Sequence, residues 1–376
     1  MKKKIGILTT YFATNFGAML QPFAMKRVLE QYGYDVELIR YKQHKVFNTY
    51  KPFNWRKLIR KNIFSSIQYL VSLPILFRKA AVFNSYMQKY VQPVKGFSRT
   101  IPSDKDYYFF GSDQIWNPSI TDGFDDIYFG KFQVKEGAKK IAYAASAEAI
   151  EYNESQCIYL RENINNFDFV SVREQKLAED LIRVTGRKDI CSVLDPTLIA
   201  DISVYDEIQQ INPLPGKRYV LFYKIRNCYS FAEKIYQYAR SIDAEMLILS
   251  SWYEKDLVHF SRSHKFVTYI PDAGIEIFLG SIKNAEVIFT PSFHGCVFPI
   301  LYRKSFYSLV LGDTWNTRVY DFLSNLGLLD RRLRINDDIT AELINYDAVY
   351  QKLECLQKKS HIFIRKSLGI EQNETI

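Results

Sequence analysis

The sequence predicts two α/β domains, and three observations carry that prediction. At 376 residues the chain exceeds one ordinary hydrophobic core. Short β-branched and aromatic runs recur, each ending in a glycine or a polar cluster and then giving way to helical spacing. One proline- and glycine-rich stretch, Asn212-Pro213-Leu214-Pro215-Gly216, divides two such series. The expected units are 1–210, with a basic helical excursion at about 42–100, then 211–345, then a C-terminal helix and tail at 346–376.

In order, Lys4 to Thr10 reads as a first strand and Tyr11 to Ala18 as a loop. Met19 to Tyr32 has apolar residues at helical spacing and stops at Gly33. Asp35 to Tyr41 alternates as a second strand, which completes a β-loop-α-β unit. Asn15 and Gly17 precede the helix, where free backbone N–H groups suit an anion or a polar ligand. No G-x-G-x-x-G is present, so a dinucleotide site is not expected.

Asp106 to Phe110 is a strand running into Gly111-Ser112-Asp113-Gln114-Ile115-Trp116-Asn117. Asp113 and Gln114 have the chemistry to bind sugar hydroxyls. Trp116 either stacks on a sugar or fills the core beside a capped turn. Ile141 to Ser146 and Phe167 to Glu174 end in the same way, the second with Arg173 at its tip. Glu174 to Val184 is then a helix stopped by Gly186, and Val193-Leu194-Asp195-Pro196-Thr197 closes this half.

The second series opens with Tyr219 to Tyr223 and its terminal Lys224-Ile225-Arg226-Asn227. A helix over Ser230–Ile242 follows, then a strand, Glu245 to Leu249, ending in Ser250-Ser251-Trp252. Val287 to Phe289 reads as a buried strand broken by Thr290-Pro291-Ser292, and His294-Gly295 begin the next apolar element. A histidine at a strand end sits where open α/β sheets bind ligands, or is simply hydrogen-bonded there. Phe306–Leu311 is a strand, and Thr317–Leu326 and Tyr346–Leu368 are helices.

Charge is uneven. From Arg40 to Ser103 there are thirteen Lys or Arg residues and no Asp or Glu; taking those from the net of +9 leaves −4 for the rest. Trp55–Tyr69 and Ile75–Tyr90 read as two helices separated by Leu73-Pro74. Such a segment can lie on an anionic membrane surface, clamp an acidic polymer, or be a solvated excursion of the first domain. The chain lacks a run of 18 or more uncharged apolar residues, so no membrane span is expected. The N-terminal apolar run is too short for a secretory signal.

Five scattered cysteines without a C-x-x-C pair favour a reducing compartment, and so a cytoplasmic protein, at the inner face of the membrane if the basic segment meets lipid. They also argue against a disulfide framework or structural zinc. His44, His259, His264 and His361 read as surface or loop residues. No cluster has metal-ligand spacing, and neither a metal, a cofactor nor nucleic acid is expected.

Several blocks, in order, resemble the polysaccharide pyruvyl transferase family over essentially the whole chain. They are Asn15-Phe16-Gly17-Ala18, Gly111 to Asn117, Tyr143-Ala144-Ala145-Ser146, Ser171-Val172-Arg173-Glu174, Leu194-Asp195-Pro196-Thr197 and Ser292-Phe293-His294-Gly295. The resemblance implies a GT-B-like fold, two facing Rossmann-like domains with the active site in the interdomain cleft. It also implies transfer of a pyruvyl group from phosphoenolpyruvate to a sugar of a bacterial capsule or exopolysaccharide, or to its precursor, free or lipid-linked.

That chemistry needs an acid for the methylene carbon, cations for a carboxylate and a phosphate, and a polar platform for hydroxyls. His294 is the expected acid or phosphate ligand and Arg173 the expected anion clamp. Lys224, Arg226 and Arg318 are further cations from the second domain. Asp113 and Gln114 are expected to hold the acceptor with help from Asn15, and Gly17, Gly111, Ser292 and Gly295 belong to the same binding loops. Many members carry arginine two residues before the histidine, and others an aspartate before a serine; here Pro291-Ser292 stand there, so one cation must come from elsewhere or the substrate differs. Two other functions remain: a GT-B glycosyltransferase using a nucleotide sugar, for which no glycine-rich loop with a ribose-binding acid is found, and a non-catalytic glycan- or membrane-binding protein.

Overall fold

The computed structural model describes residues 2–11, 13–55, 63–93, 100–147, 151–225, 228–312, 317–340 and 342–370. Arg226, and Arg56, Lys57, Arg60 and Lys61 of the basic segment, lie outside the described residues.

The first sheet holds β1 (Lys4–Leu8), β2 (Asp35–Leu38), β3 (Tyr107–Phe110), β4 (Lys139–Ala145), β5 (Phe169–Val172) and β6 (Cys191–Ser192), in the order β2-β1-β3-β4-β5-β6. The second holds β7 (Tyr219–Lys224), β8 (Glu245–Ser250), β9 (Val267–Ile270), β10 (Val287–Thr290), β11 (Ser305–Leu309) and β12 (Arg332–Leu333), in the order β12-β11-β10-β7-β8-β9. Neighbours pair in parallel throughout. The fold is thus GT-B-like, two Rossmann-like α/β units. β3 is aromatic along its whole length, and β8 is apolar between its terminal Glu245 and Ser250, because helices cover both faces of a parallel sheet.

Each sheet has a point where its strand order reverses, between β1 and β3 in the first and between β7 and β10 in the second. Polar loops leave the carboxyl ends there, the positions at which such sheets form a ligand crevice. Leu8 pairs with Phe110, which sets Thr9-Thr10 beside Gly111-Ser112; the Thr9 hydroxyl donates to the Ser112 carbonyl at 2.8 Å.

Six helices matter to the site. They are α1 (Phe16–Gln31), α2 (His44–Tyr50), α3 (Ile63–Tyr86), α4 (Phe293–Leu301), α5 (Thr317–Leu326) and α6 (Tyr346–Leu368). α1 starts three residues before the expected Met19. Asn15 caps it, its side-chain oxygen accepting from the N–H groups of Gly17 (3.0 Å) and Ala18 (3.3 Å), so Gly17 lies in the first turn and not in a loop. α6 crosses back to the first sheet: the Leu194 N–H donates to Ser360 Oγ at 2.9 Å, and Tyr107 to the Leu368 carbonyl at 3.1 Å. One hydrophobic core runs through both units, with Phe16 stacked 4.4 Å from Phe278.

α3 departs from the expected pair of helices. It continues through Pro74, which falls on the exposed face, so the Leu70 carbonyl that proline leaves unpaired is on the side away from the core. Among the described residues, Ser66–Val91 is also long and apolar enough to cross a membrane by length and composition, although no uncharged run of 18 exists.

Candidate active site at the interdomain cleft

The two switch points face each other across a cavity of about 460 Å³. Thr10, Asn15, Asp113 and Gln114 line it from the first domain; Ile225, Ser251, Trp252, Ser292, Phe293, His294 and Arg318 line it from the second. The N-termini of α1 and α4 both open here, so the positive ends of two helix dipoles meet in one place.

His294 sits at the centre of this meeting. Ser292 caps α4 by accepting from the Gly295 N–H at 3.2 Å, and this turn carries the imidazole across the cleft onto α1. It lies flat enough on Gly17 that a Cβ there would come within 1.9 Å of His294 Nδ1. Glycine at 17 is therefore a condition of contact between the domains, through absence of a side chain rather than backbone freedom. Gly295 acts likewise: its missing Cβ would meet Thr290 Oγ1 at 2.5 Å and Tyr223 at 2.9 Å. Gly111 (φ +110°) has no room for a side chain because a Cβ would strike the Tyr143 carbonyl at 2.3 Å. Its expected place in a binding loop is corrected to a packing role between β3 and β4, away from the cavity lining.

Beyond His294 lies a buried charge cluster from the first domain. His294 Nε2 is 3.5 Å from Asp195 Oδ1, and Asp195 is fully buried. Asp195 also accepts from Ser112 Oγ (2.8 Å), the Thr197 N–H (3.0 Å), Thr197 Oγ1 (2.7 Å) and Arg173 Nη1 (3.0 Å). Burial alone would push its carboxyl up, but His294 and Arg173 outweigh burial and hold it far below the usual carboxylate range. Glu174 accepts from Ser146 Oγ at 2.5 Å and pairs with Arg173 Nε at 3.3 Å; here burial outweighs Arg173 and Arg318, and its carboxyl is raised.

Arg173 is accordingly not an open clamp. Its three nitrogens donate to Asp195, Ser146 and Glu174, its side chain is buried, and it lies under the cavity rather than in its lining. Its guanidinium rests 4.9 Å from the Phe293 ring, beneath the histidine turn. Lys224 is corrected in the same sense: it is buried and paired with Glu254 outside the lining.

Among the described residues, two other cations reach the cavity. Arg318, from α5, lies with Nη1 2.8 Å and Nη2 3.1 Å from the Gln114 carboxamide; with its oxygen turned to the guanidinium, that amide accepts both. Lys45, from α2, donates to the Ser119 carbonyl at 2.9 Å. Asp113 accepts from Thr10 Oγ1 at 2.5 Å. Trp116 is the core alternative, its N–H donating to the Tyr128 carbonyl at 3.0 Å and its ring stacked on Phe129. The aromatic wall is instead Trp252 stacked on Tyr50, centroids 5.1 Å apart and planes at 13°.

Sequence reasoning gave no role to Asp195, Lys45, Tyr50 or Trp252. Trp252 did carry a signal, since it follows a strand end as His294 does. Among the described residues no group of three or more His, Cys, Asp or Glu is placed to hold a metal ion. His361 lies half-buried on α6, 2.8 Å from the Tyr32 hydroxyl, and is not a loop residue.

A family model for polysaccharide pyruvyl transferase matches residues 15–312, a span that contains most of the cleft lining and leaves Thr10, Ala13 and Arg318 outside it. The chain belongs to the polysaccharide pyruvyl transferase family. Among solved structures it is similar to the UDP-GlcNAc 2-epimerase of Methanocaldococcus jannaschii (14% identity, 99% of this chain and 100% of that one, TM-score 0.46). It is also similar to the glycosyltransferase SnogD of Streptomyces nogalater (10% identity, 98% and 99%, TM-score 0.43). No curated protein matches the sequence.

Proposed function

We propose that this transferase-family chain moves the pyruvyl group of phosphoenolpyruvate onto two hydroxyls of a surface-polysaccharide sugar or its precursor. The observation that carries the reading is His294, delivered by one domain onto Gly17 and to within 3.5 Å of buried Asp195 on the other, at the base of a cleft. The cluster beneath, Arg173 paired with Asp195 and Glu174, meets the imidazole through Asp195. In this reading His294 gives its proton to the methylene carbon, and the neighbouring carbon becomes electrophilic. A sugar hydroxyl adds there and loses its proton; a second hydroxyl then displaces inorganic phosphate and closes the ketal.

Arg318 and Lys45, with the two helix N-termini, supply positive charge for the carboxylate and phosphate of the donor. They stand in for the arginine absent at Ser292. Asp113 and Gln114 serve the acceptor hydroxyls, and the Tyr50–Trp252 pair offers a flat apolar wall to a sugar face. A cavity of this size suits one donor and one sugar unit.

The test is phosphate release from phosphoenolpyruvate in the presence of a sugar acceptor. His294→Ala is expected to lower the rate by roughly 10² to 10⁴-fold. An unaffected variant would remove the role of His294; turnover of a nucleotide sugar without consumption of phosphoenolpyruvate would overturn the reaction itself.

A further inference from the structure

We infer that the outer face of α3 docks the protein on the surface of an anionic lipid bilayer. α3 is apolar on two sides, and only one is covered by protein. Tyr69, Ser72, Lys79, Phe83 and Tyr86 face the interior, with Lys79 Nζ donating to the Ser250 carbonyl of the other domain at 2.6 Å. Opposite them, Ile67, Leu70, Val71, Pro74, Phe77 and Ala81 recur at i, i+3, i+4, i+7, i+10 and i+14, one continuous stripe, and all are exposed. Val71 is 67% exposed, Ile67 53%, Phe77 52% and Leu70 48%; Trp55, just before the helix, is 58% exposed. A helix apolar all round is ordinarily buried all round, and a stripe of this length left in water marks an interaction surface.

The charge around the stripe decides the occupant. The segment from Arg40 to Ser103 carries thirteen basic residues and no acid, and the tract Arg56-Lys57-Leu58-Ile59-Arg60-Lys61 leads directly into α3. A second copy of this chain would bring another basic segment free of acids to meet this one. An anionic membrane complements the charge and the apolar stripe together. The inner side of α3 is fixed to both domains, so the helix lies along the surface and does not span it. At about 1.5 Å per residue it offers a track roughly 36 Å long.

The same excursion walls the active-site cleft through Lys45, Val46, Thr49 and Tyr50. The inference stands apart from the pyruvyl-transfer reading, because its test needs no substrate. The full chain is sedimented with phosphatidylcholine vesicles containing roughly one-third phosphatidylglycerol, and with vesicles of phosphatidylcholine alone. Binding to the anionic vesicles is expected at low salt, weakening as salt rises.

The combined substitution Ile67→Ser, Leu70→Asn, Val71→Ser, Phe77→Asn should lower that binding by roughly tenfold or more, with thermal unfolding confirming the fold. The combined Arg56→Gln, Lys57→Gln, Arg60→Gln, Lys61→Gln change should lower it and flatten the salt dependence. Absence of binding at low salt, or an apolar-stripe variant that binds unchanged, would overturn the docking surface. So would a wild-type dimer that the stripe variant dissolves, which would place a second copy on this face. Retention on vesicles through high-salt and alkaline washing would also overturn it, in favour of a membrane span.

Discussion

The two walls of the cleft are built on different principles. The first-domain side lines the cavity with Thr10, Asn15, Asp113 and Gln114 and keeps a closed cluster beneath them. Asp195, Glu174, Arg173, Ser112 and Ser146 are buried and bonded to one another, and the charge they hold reaches the cavity through His294. The second-domain side is open: Ser292, His294, Arg318 and Trp252 all line the space where a substrate would lie. Both walls present functional groups to the cavity, and the first alone stores a buried electrostatic environment behind them. A motif residue can therefore belong to the site without touching a ligand, and Arg173 is the example.

Breaking the contact between the walls is expected to have the largest effect. Gly17→Ala puts a methyl where the imidazole rests, 1.9 Å from Nδ1, and must displace His294 from Asp195. The catalytic rate is expected to fall by roughly 10²-fold, the scale of a small misplacement of a reacting group. Alanine is favoured over glycine in a helix, so thermal stability should change little; a fully active variant would show that the close approach is dispensable.

Next comes the open wall alone. Arg318→Gln keeps a hydrogen-bonding side chain and removes the charge, so KM for phosphoenolpyruvate is expected to rise about tenfold with a smaller change in kcat. A fall in kcat with KM unchanged would move Arg318 from donor binding to the chemical step.

The smallest expected effect on rate lies where the domains are pinned behind the site. Burial lowers the Lys79 ammonium to about 7, against a weaker opposing pull from Asp272. An unfolded chain keeps that proton up to a pH of about 10. Between those values the unfolded state binds more protons, so this residue makes stability rise with pH over that window, by a few kcal/mol in all. Lys79→Met should abolish the rise. Urea unfolding of both proteins near neutral pH and at alkaline pH isolates the difference, and parallel pH dependence in the two would contradict it.

Much of this arrangement is legible in the sequence because parallel strands announce their carboxyl ends. Gly111-Ser112-Asp113-Gln114 and Ser292-Phe293-His294-Gly295 stand out as polar breaks after apolar runs, and both prove to be at switch points. What pairs with them is not local. Asp195 follows an unremarkable turn, and its distance from His294 depends on how two sheets meet. Lys45 and Tyr50 sit in a stretch whose most visible property is net charge, which conceals that one short helix of it, α2, faces the cavity. Pro74 misleads in a simpler way: proline breaks a helix less readily when the carbonyl it strands faces outward.

The seat of His294 on Gly17 has one more consequence. The imidazole belongs to one domain and its buried counter-charge to the other, so the electrostatics of the centre are a function of domain separation. Parting the walls by even a water's width would take the imidazole away from Asp195 and admit solvent between them. Under the proposed reaction the acid is then assembled by closure, and an open, half-loaded cleft has no means of discharging a reactive donor onto water.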